Sequence, residues 1–377
     1  MNVSNSSTNS FVPKVVRIPG TNDLFAIWIE AVSATQNDLF FAKSTDGGAT
    51  WMSRWNLASG GQIMEGGWAS DLLTIGIAVD DPYLHIVMQW RPDDSYDFEI
   101  YYLRSEDLGA TWLGWYALTN NSTDSRYPDI AVYGEYVHVT YQDSWPGQED
   151  IMYKRIPNYG TNGAVDHTRR LTYSTTDAYF PRIAVSNGGY CVSVVYQDVW
   201  GDNYNVFYKH IDVYGSGAYQ TKQLTFGTGG LGWNGLPDIA TSVDSADEQY
   251  VYIVYQAYWP GNREIIYKRL TGFGSGSFST YTARLTYSDA ESRTNTIEFD
   301  SAFNCVHIAY QDAWPGNFDI MYKKFLSYGG AGFSTQRVSW GTGDSIDACV
   351  FDSGQWAYII WSDNSSGNYE IYIKFGS

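Results

Sequence analysis

The chain has 377 residues, a formal net charge of −18 and a sequence pI near 4.5. Such an acidic chain disfavours nucleic acids and anionic membrane surfaces as partners, because both are negatively charged. No apolar run is long enough to cross a membrane, and aromatic residues make up 17% of the chain, an excess that repeated packing positions explain only in part.

Four segments along the chain share the pattern Tyr-Gln-Asp-x-Trp-Pro-Gly-Asn with small departures. They are Tyr141–Gln148, Tyr196–Asn203, Tyr255–Asn262 and Tyr310–Asn317. Each is followed by a similar apolar run, such as Asp150-Ile-Met-Tyr-Lys154. Weaker copies extend the series, which gives seven units anchored near residues 28, 88, 141, 196, 255, 310 and 361. A fixed-period repeat indicates one supersecondary unit copied along the chain.

Each full unit contains four short strand-like runs, rich in β-branched and aromatic residues and bounded by turn residues. In the third unit these runs are Ile130–Tyr133, Tyr136–Tyr141, Ile151–Arg155 and Arg170–Tyr173. No amphipathic helix is evident. The pattern predicts an all-β fold, a seven-bladed β-propeller of four-stranded antiparallel blades in a single domain over residues 1–377. A linear β-solenoid is the competing repeat fold, but its rungs are usually much shorter.

The two ends of the chain are predicted to meet in the seventh blade. The last unit stops after its third strand, whereas Pro13–Arg17 aligns with the innermost strand of other units. The segment before Phe11 is therefore available as the missing outer strand, which would cover two open sheet edges. Because residues 2–10 are rich in Asn and Ser, a disordered tail and a three-stranded last blade are the alternative.

The cysteines and aspartates indicate no defined metal or cofactor site. Cys191, Cys305 and Cys349 lack metal-type spacing. Cys305 and Cys349 fall in adjacent predicted blades, where they either pair or remain buried thiols. Aspartates that recur on one face would suit Ca²⁺, but no recognised loop spacing supports such a site. The low lysine content and the polar, aromatic loops favour an extracellular or cell-surface protein.

The repeated loops between the second and third strands of the blades are the predicted ligand face. They carry an indole ring in four units, at Trp145, Trp200, Trp259 and Trp314. Carboxylates and amides stand beside these rings, at Asp143, Asp198, Asp312, Gln142, Gln197, Gln256 and Gln311. Aromatic rings stack on the C–H faces of sugars, while carboxylates and amides hydrogen-bond the hydroxyls. The alternative is that each indole packs between blades and each aspartate caps its turn.

Exposure of the indoles separates these two interpretations, since a packing Trp is mostly buried and a binding Trp offers a ring face to solvent. The seventh unit makes the comparison within the chain, because its turn at Asp363–Gly367 contains no Trp. Turn geometry alone therefore does not require the indole.

Two units carry a second motif, Ser-x-Asp-x-Gly-x-Thr-Trp, at Ser44–Trp51 and Ser105–Trp112. This motif resembles the Asp-box, or BNR repeat, of sialidase-like propellers. The resemblance implies a folding device between the third and fourth strands, in which Asp46 and Asp107 cap backbone amides of the hairpin and are not catalytic acids.

The segment Arg17-Ile18-Pro19 resembles the Arg-Ile-Pro motif of sialidases. The resemblance implies that Arg17 would grip a substrate carboxylate at the channel mouth, with Glu30 downstream as a possible partner. The chain departs from the family in three respects. The stretch Ala31–Asn37 has no acid/base Asp, no Tyr–Glu pair can be identified, and sialidases resemble six-bladed rings. An accidental match of a short motif is the alternative, and we expect no sialidase activity.

Three functions remain open from the sequence. The first is a non-catalytic extracellular propeller that binds glycans or a cell-surface protein through the Trp-bearing loops. The second is a sialidase-like glycoside hydrolase that uses Arg17. The third is a structural subunit of a cell surface or filament.

Overall fold

A computed structural model describes residues 1–33, 36–63, 75–92, 96–145, 147–173, 175–186, 191–200, 203–212, 220–226, 234–243, 249–259, 261–271, 279–314, 316–326, 334–352 and 357–376. The strands form seven consecutive antiparallel sheets, most of them four-stranded meanders. The predicted all-β, seven-bladed propeller is thus confirmed. The chain divides into two compact units, Met1–Thr175 with Ile360–Lys374 and Thr176–Ile359 with Phe375–Ser377.

The first three blades lie in the first unit. The first blade contains β1 (Ser10–Arg17), β2 (Leu24–Ala31), β3 (Asn37–Ser44) and β4 (Trp55–Ala58). The second contains β5 (Gly61–Gln62), β6 (Ile75–Asp80), β7 (Tyr83–Pro92), β8 (Glu99–Ser105) and β9 (Leu113–Ala117). Both β5 and β6 pair with β7, so this innermost strand is split in two. The third contains β10 (Ser125–Tyr133), β11 (Tyr136–Asp143), β12 (Asp150–Ile156) and β13 (His167–Arg170).

The next three blades lie in the second unit. The fourth contains β14 (Ala178–Val185), β15 (Cys191–Trp200), β16 (Asn203–Asp212) and β17 (Gln220–Gln223). The fifth contains β18 (Asn234–Val243), β19 (Gln249–Trp259), β20 (Asn262–Thr271) and β21 (Ser279–Arg284). The sixth contains β22 (Ser292–Asp300), β23 (Cys305–Asp312), β24 (Asp319–Leu326) and β25 (Ser334–Arg337). The seventh sheet contains β26 (Ser345–Asp352), β27 (Ala357–Asp363) and β28 (Glu370–Gly376).

The N-terminal segment lies beside β28, the outermost strand of the seventh sheet. The Val3 amide donates to the Ile371 carbonyl at 2.6 Å, and the Ile373 amide donates to the Met1 carbonyl at 2.9 Å. Asn2 forms an antiparallel bridge with Tyr372. The start of the chain therefore covers the open edge of the last strand.

Neighbouring blades pack through alternating apolar side chains of their strands. In the second unit, Tyr252 and Tyr267 of the fifth blade share one buried cluster with Ile308 and Tyr310 of the sixth. Because side chains alternate along a strand, the residues of β23 between these positions point to the opposite face of the sheet, away from the fifth blade. Every residue of β23 is buried, so the sixth blade buries both faces of this strand.

The outer strand of the third blade is four residues long and ends at Arg170, whereas the sequence predicted a strand over Arg170–Tyr173. The reason is a side-chain hydrogen bond. The hydroxyl of Thr172 accepts from the Ile151 amide at 2.9 Å and donates to the Asp150 carboxylate at 2.6 Å. A side chain thus replaces the backbone ladder, and the chain leaves the sheet at this point.

Helical structure is almost absent from the described residues. One 3₁₀ segment covers Asn158–Gly163, and several of its residues have non-helical backbone angles. No helix among the described residues is long and apolar enough to span a membrane.

Candidate functional site

The predicted Trp loops expose their indoles wherever the side chain is described. Trp145 is 57% exposed, Trp200 is 63% exposed and Trp314 is 69% exposed. The side chain of Trp259 lies outside the described residues. Packing between blades therefore does not account for these three indoles.

The aspartates of the same loops are buried, and two of them cap their turns. Asp312 accepts from the Trp314 amide at 2.8 Å and from the Ser292 hydroxyl at 2.9 Å. Asp143 accepts from the Trp145 amide at 2.8 Å and from the Ser125 hydroxyl at 3.1 Å. Asp198, also buried, accepts from Thr176 at 3.0 Å. The structure therefore buries all three carboxylates, and two of them, Asp143 and Asp312, cap the turn that carries the exposed ring.

The glutamines of the repeat are also buried, and two of them bridge neighbouring blades. The Gln197 side-chain oxygen accepts from the Leu236 amide at 3.3 Å, and that of Gln311 accepts from the Asp347 amide at 3.3 Å. Both amides belong to residues of positive φ in the innermost strand of the next blade. These contacts set the blade register. Gln142 and Gln256 are buried as well, and Gln142 donates to Glu149 at 2.9 Å.

Arg17 and Glu30 are not brought together. In the pairing of β1 with β2, Arg17 lies opposite Leu24, whereas Glu30 lies opposite Ser10 at the other end. Seven residues of extended strand separate the two positions by roughly 20 Å. Glu30 is buried, accepts from Trp28 Nε1 and from Ser6 Oγ at 2.9 Å each, and pairs with Arg54. The structure thus gives Glu30 a structural set of partners.

Four further exposed aromatic residues lie just after the outer strands of the third to sixth blades. These rings are 71–75% exposed, and they belong to Tyr173, Phe226, Tyr287 and Trp340. An arginine guanidinium lies against three of them, with Cζ 5.0 Å from the Tyr173 ring centroid for Arg170, 4.5 Å from Tyr287 for Arg284 and 4.6 Å from Trp340 for Arg337.

None of these four aromatic residues was predicted as part of a site, although the sequence contains a signal for them. Each follows an apolar residue and a hydroxyl residue, as in Leu285-Thr286-Tyr287 and Val338-Ser339-Trp340. The hydroxyl holds the chain to a buried acid of the third strand, for example Ser339 to Asp319 at 3.0 Å. The aromatic residue is then the first one beyond the sheet, where its ring faces solvent.

In the second unit, one ring of this set and one indole of the Trp loops border a cleft of about 300 Å³. Tyr287 comes from the end of the fifth blade, and Trp314 comes from the turn between β23 and β24 of the sixth. We name this feature the Tyr287–Trp314 cleft. Its other lining residues are Leu285, Thr286, Ser288, Tyr310, Asp312, Met321, Lys323 and Thr335. The cleft thus combines three aromatic side chains with an ammonium, a carboxylate and hydroxyl groups.

A buried lysine lies in the cleft, and a lysine recurs at the same strand position in other blades. Lys323 is buried and donates to the Thr335 hydroxyl. Burial lowers the pKa of Lys323, and the Asp312 carboxylate offsets part of this effect. Lys154, Lys209 and Lys268 hold the equivalent strand position, and burial lowers the pKa of Lys209 to about 8. The repetition favours a role common to the blades over a single proton-transfer centre.

The two Ser-x-Asp-x-Gly-x-Thr-Trp turns in the first unit share one hydrogen-bond pattern. Asp46 accepts from the Thr50 amide at 2.8 Å and from its hydroxyl at 2.6 Å, and Asp107 accepts from the Thr111 amide at 2.7 Å and from its hydroxyl at 2.6 Å. The hydrogen bonds from Thr50 and Ser44 lower the pKa of Asp46 to about 2. Both aspartates thus tie their own hairpins.

The cysteines are free thiols, and Cys191 and Cys305 are buried. Among the described residues, one group of three potential metal ligands lies close together, formed by Asp300, Cys305 and His307 of the sixth blade. A thiol and an imidazole do not suit Ca²⁺, which prefers oxygen ligands.

No family model and no curated protein matches the chain. Solved structures share its fold. A polysaccharide lyase of family PL25, an ulvan lyase bound to -[GlcA(1-4)Rha3S]-, aligns with a TM-score of 0.64 and 10% identity over 100% of this chain and 94% of that one. The α-L-arabinanase of Penicillium chrysogenum, complexed with arabinobiose, aligns with a TM-score of 0.51 and 12% identity over 99% and 97%.

The Trypanosoma rangeli sialidase in complex with the inhibitor DANA is a third similar structure, with a TM-score of 0.51 and 9% identity over 85% of this chain and 55% of that one. At these identities the likeness concerns the fold alone. The class defined here is therefore a β-propeller whose structural neighbours include carbohydrate-active enzymes.

Proposed function

We propose that this protein binds carbohydrate chains through aromatic-edged clefts between blades, and that the Tyr287–Trp314 cleft is one such site. The observation that carries the proposal is the recurrence of exposed rings at two loop positions that turn formation does not require. Stacked aromatic residues and hydroxyl or ammonium donors are the groups that recognise sugar faces and sugar hydroxyls.

The fold neighbours support the ligand class, because they bind or act on carbohydrates according to their descriptions. Sugars outside cells would be the accessible ligands, so the proposal includes an extracellular or cell-surface location. A cell-surface glycoprotein is a partner of the same chemistry. The two aspartate-tied hairpins are interpreted within this proposal as Asp-box folding devices, supported by their shared hydrogen bonds.

A carbohydrate-active enzyme is the second candidate, and the lyase, arabinanase and sialidase neighbours favour it. The separation of Arg17 from Glu30 argues against a sialidase-type centre that uses both residues. A lysine whose pKa is lowered by burial recurs at the same strand position in four blades, which supports binding over a single catalytic lysine.

The test is a binding screen against neutral, uronic-acid-containing and sulfated oligosaccharides. Short oligosaccharides are used because several clefts on one long chain would mask the loss of one site through avidity. We expect binding to at least one class, weakened about tenfold by Tyr287→Ala or Trp314→Ala, since a stacked ring contributes about 1–1.5 kcal/mol.

Phe303→Ala is the matched control, because Phe303 is 49% exposed but lies in the turn before β23, at the opposite end of that strand from Trp314. It should leave affinity unchanged. Absence of binding across the panel, or equal loss in the control, would contradict the proposal. The length of the oligosaccharides is also measured after prolonged incubation with the protein. Shortened oligosaccharides would favour the second candidate, a carbohydrate-active enzyme.

A further inference from the structure

Three potential metal-ligating side chains converge at one hairpin of the sixth blade, away from the Tyr287–Trp314 cleft. Asp300 ends β22, and its cross-strand partner Cys305 begins β23. His307 follows two residues later, so its side chain lies on the same face of the sheet as that of Cys305. All three residues are buried.

The distances among the three ligand atoms fit a tetrahedral zinc ion. Cys305 Sγ lies 3.4 Å from His307 Nε2 and 3.8 Å from Asp300 Oδ2, and Nε2 lies 3.8 Å from that same oxygen. Zinc bonds of roughly 2.3 Å to sulfur and 2.0–2.2 Å to nitrogen and oxygen place neighbouring ligand atoms about 3.3–3.6 Å apart. Movements of a few tenths of an ångström would therefore complete three corners of the tetrahedron.

Two of the ligands are oriented by contacts made through their other polar atom. His307 Nδ1 lies 2.6 Å from the Tyr322 hydroxyl, which turns Nε2 toward the cysteine and the aspartate. Asp300 Oδ1 accepts from the amides of Ala302 and Phe303 at 2.8 and 3.0 Å, which leaves Oδ2 facing the thiol. Such anchoring by neighbouring groups is typical of metal ligands.

Other blades show that blade packing does not require this cluster. His85 contacts Tyr102, and His138 contacts Tyr153, each at 2.7 Å. The His–Tyr pair therefore packs without a thiol beside it. In the fourth blade, Cys191 occupies the position of Cys305, but its neighbours Ser186 and Ser193 replace the aspartate and the histidine. Among the described residues, only the sixth blade combines all three ligand types.

We propose that Asp300, Cys305 and His307 form a zinc site that ties the end of the β22–β23 hairpin. A thiolate, an imidazole and a carboxylate together suit Zn²⁺ better than Mg²⁺ or Ca²⁺. Binding displaces the thiol proton to solvent, and the thiolate and carboxylate then balance the charge of the ion in a buried place. The turn of residues 301–303 above the cluster is exposed, which provides a route for the ion, and a water molecule would fill the fourth position.

The test uses Co²⁺ as a spectroscopic substitute for Zn²⁺ in the full-length protein after removal of metal by a chelator. We expect one ion per chain, with the intense visible bands of a tetrahedral site and a thiolate charge-transfer band that Zn²⁺ abolishes. Cys305→Ser should remove the charge-transfer band. Tyr322→Phe should weaken binding about 10- to 100-fold, because the imidazole loses its anchor.

Cys191→Ser is the matched control, since it removes an equally buried thiol from the same hairpin position of another blade. It should leave the spectrum unchanged. If Cys305→Ser does not fold, Asp300→Asn replaces it, because the amide oxygen retains the turn contacts while the charged ligand is lost. No bound ion in the wild-type protein, or a charge-transfer band that survives in the folded Cys305→Ser or Asp300→Asn variant at unchanged affinity, would overturn the proposal.

Discussion

The turn at Asp312 in the sixth blade and the turn at Asp363 in the seventh have the same hydrogen bonds but different side chains at the third position. Asp312 accepts from the Trp314 amide at 2.8 Å, and Asp363 accepts from the Ser365 amide at 2.9 Å. Both turns end in a glycine of positive φ, with values of 106° and 108°. A serine thus replaces the indole without changing the turn.

The buried residue near the start of the third strand differs from the indole, because the seventh blade retains it; it is an acid in the sixth and seventh blades and an asparagine, Asn205, in the fourth. Asp319 of the sixth blade pairs with Arg337 and accepts from Ser339. The seventh blade has no such outer strand, but its Glu370 accepts from the Ser4 hydroxyl at 3.3 Å and from the Ser6 amide at 3.1 Å. The last blade therefore keeps the buried acid with new partners and omits the indole. We therefore expect folding to depend on the first feature and the proposed ligand binding to depend on the second.

Removal of the buried acid should have the largest effect on stability. Asp319→Ala leaves the Arg337 guanidinium and the Ser339 hydroxyl without their partner, and breaking a buried pair typically costs about 3–5 kcal/mol. Chemical denaturation should report a loss of this size, with Asp46→Ala in an exposed turn as a milder comparison. A loss below about 1 kcal/mol would show that the acid does not hold the blade together.

Acidification should weaken a second set of buried contacts, the His–Tyr pairs. Burial lowers the pKa of His85 and of His138 to about 3. Below about pH 6.5 the histidines of the unfolded chain bind protons, whereas the buried histidines of the folded chain stay neutral. The contribution of each neutral imidazole to the free energy of unfolding is therefore fully present above pH 6.5 and is lost as pH falls toward 3. At pH 5 each histidine should reduce stability by about 2 kcal/mol.

The pH dependence is checked by denaturation of the wild-type protein and of His138→Gln between pH 7 and pH 4. The variant should have a shallower slope over this range, because one titrating group is gone. Identical slopes would contradict the assignment of a buried, neutral imidazole.

Adding an indole to the seventh blade should have a small effect. Ser365→Trp places the ring in a turn with the backbone of the Trp314 turn, and a surface substitution of this kind usually changes stability by less than about 0.5 kcal/mol. Thermal denaturation measures the change. A large destabilisation would mean that the two turns are less alike than their hydrogen bonds indicate.

The sequence was sufficient to predict the blades, because the Trp-bearing segment marks four units and weaker copies of it mark the other three at a similar interval. It was insufficient to give the direction of each side chain. Asp312 and Trp314 are neighbours in one motif, yet only the ring faces solvent, because the carboxylate turns back to cap the amide. The cleft also depends on Tyr287, which lies 27 positions earlier in another blade, and only packing between blades brings these two rings to one cleft.

The cluster of Asp300, Cys305 and His307 was missed for a related reason. Its spacing matches no common metal motif, and the aspartate becomes a neighbour of the cysteine only through hairpin pairing. The outer-strand boundaries were likewise misplaced, since Thr172 ends the ladder by a side-chain contact that a pattern of apolar residues does not record.

The most direct test of the central claim is to measure binding and stability together in Trp314→Ser, the variant that copies the turn of the seventh blade. We expect the free energy of unfolding of this variant to lie within about 0.5 kcal/mol of the wild-type value. We expect its affinity for the oligosaccharide to be about tenfold weaker, because one stacked ring is lost. Unchanged affinity together with a clear loss of stability would contradict it, because the indole would then serve the fold and not the ligand.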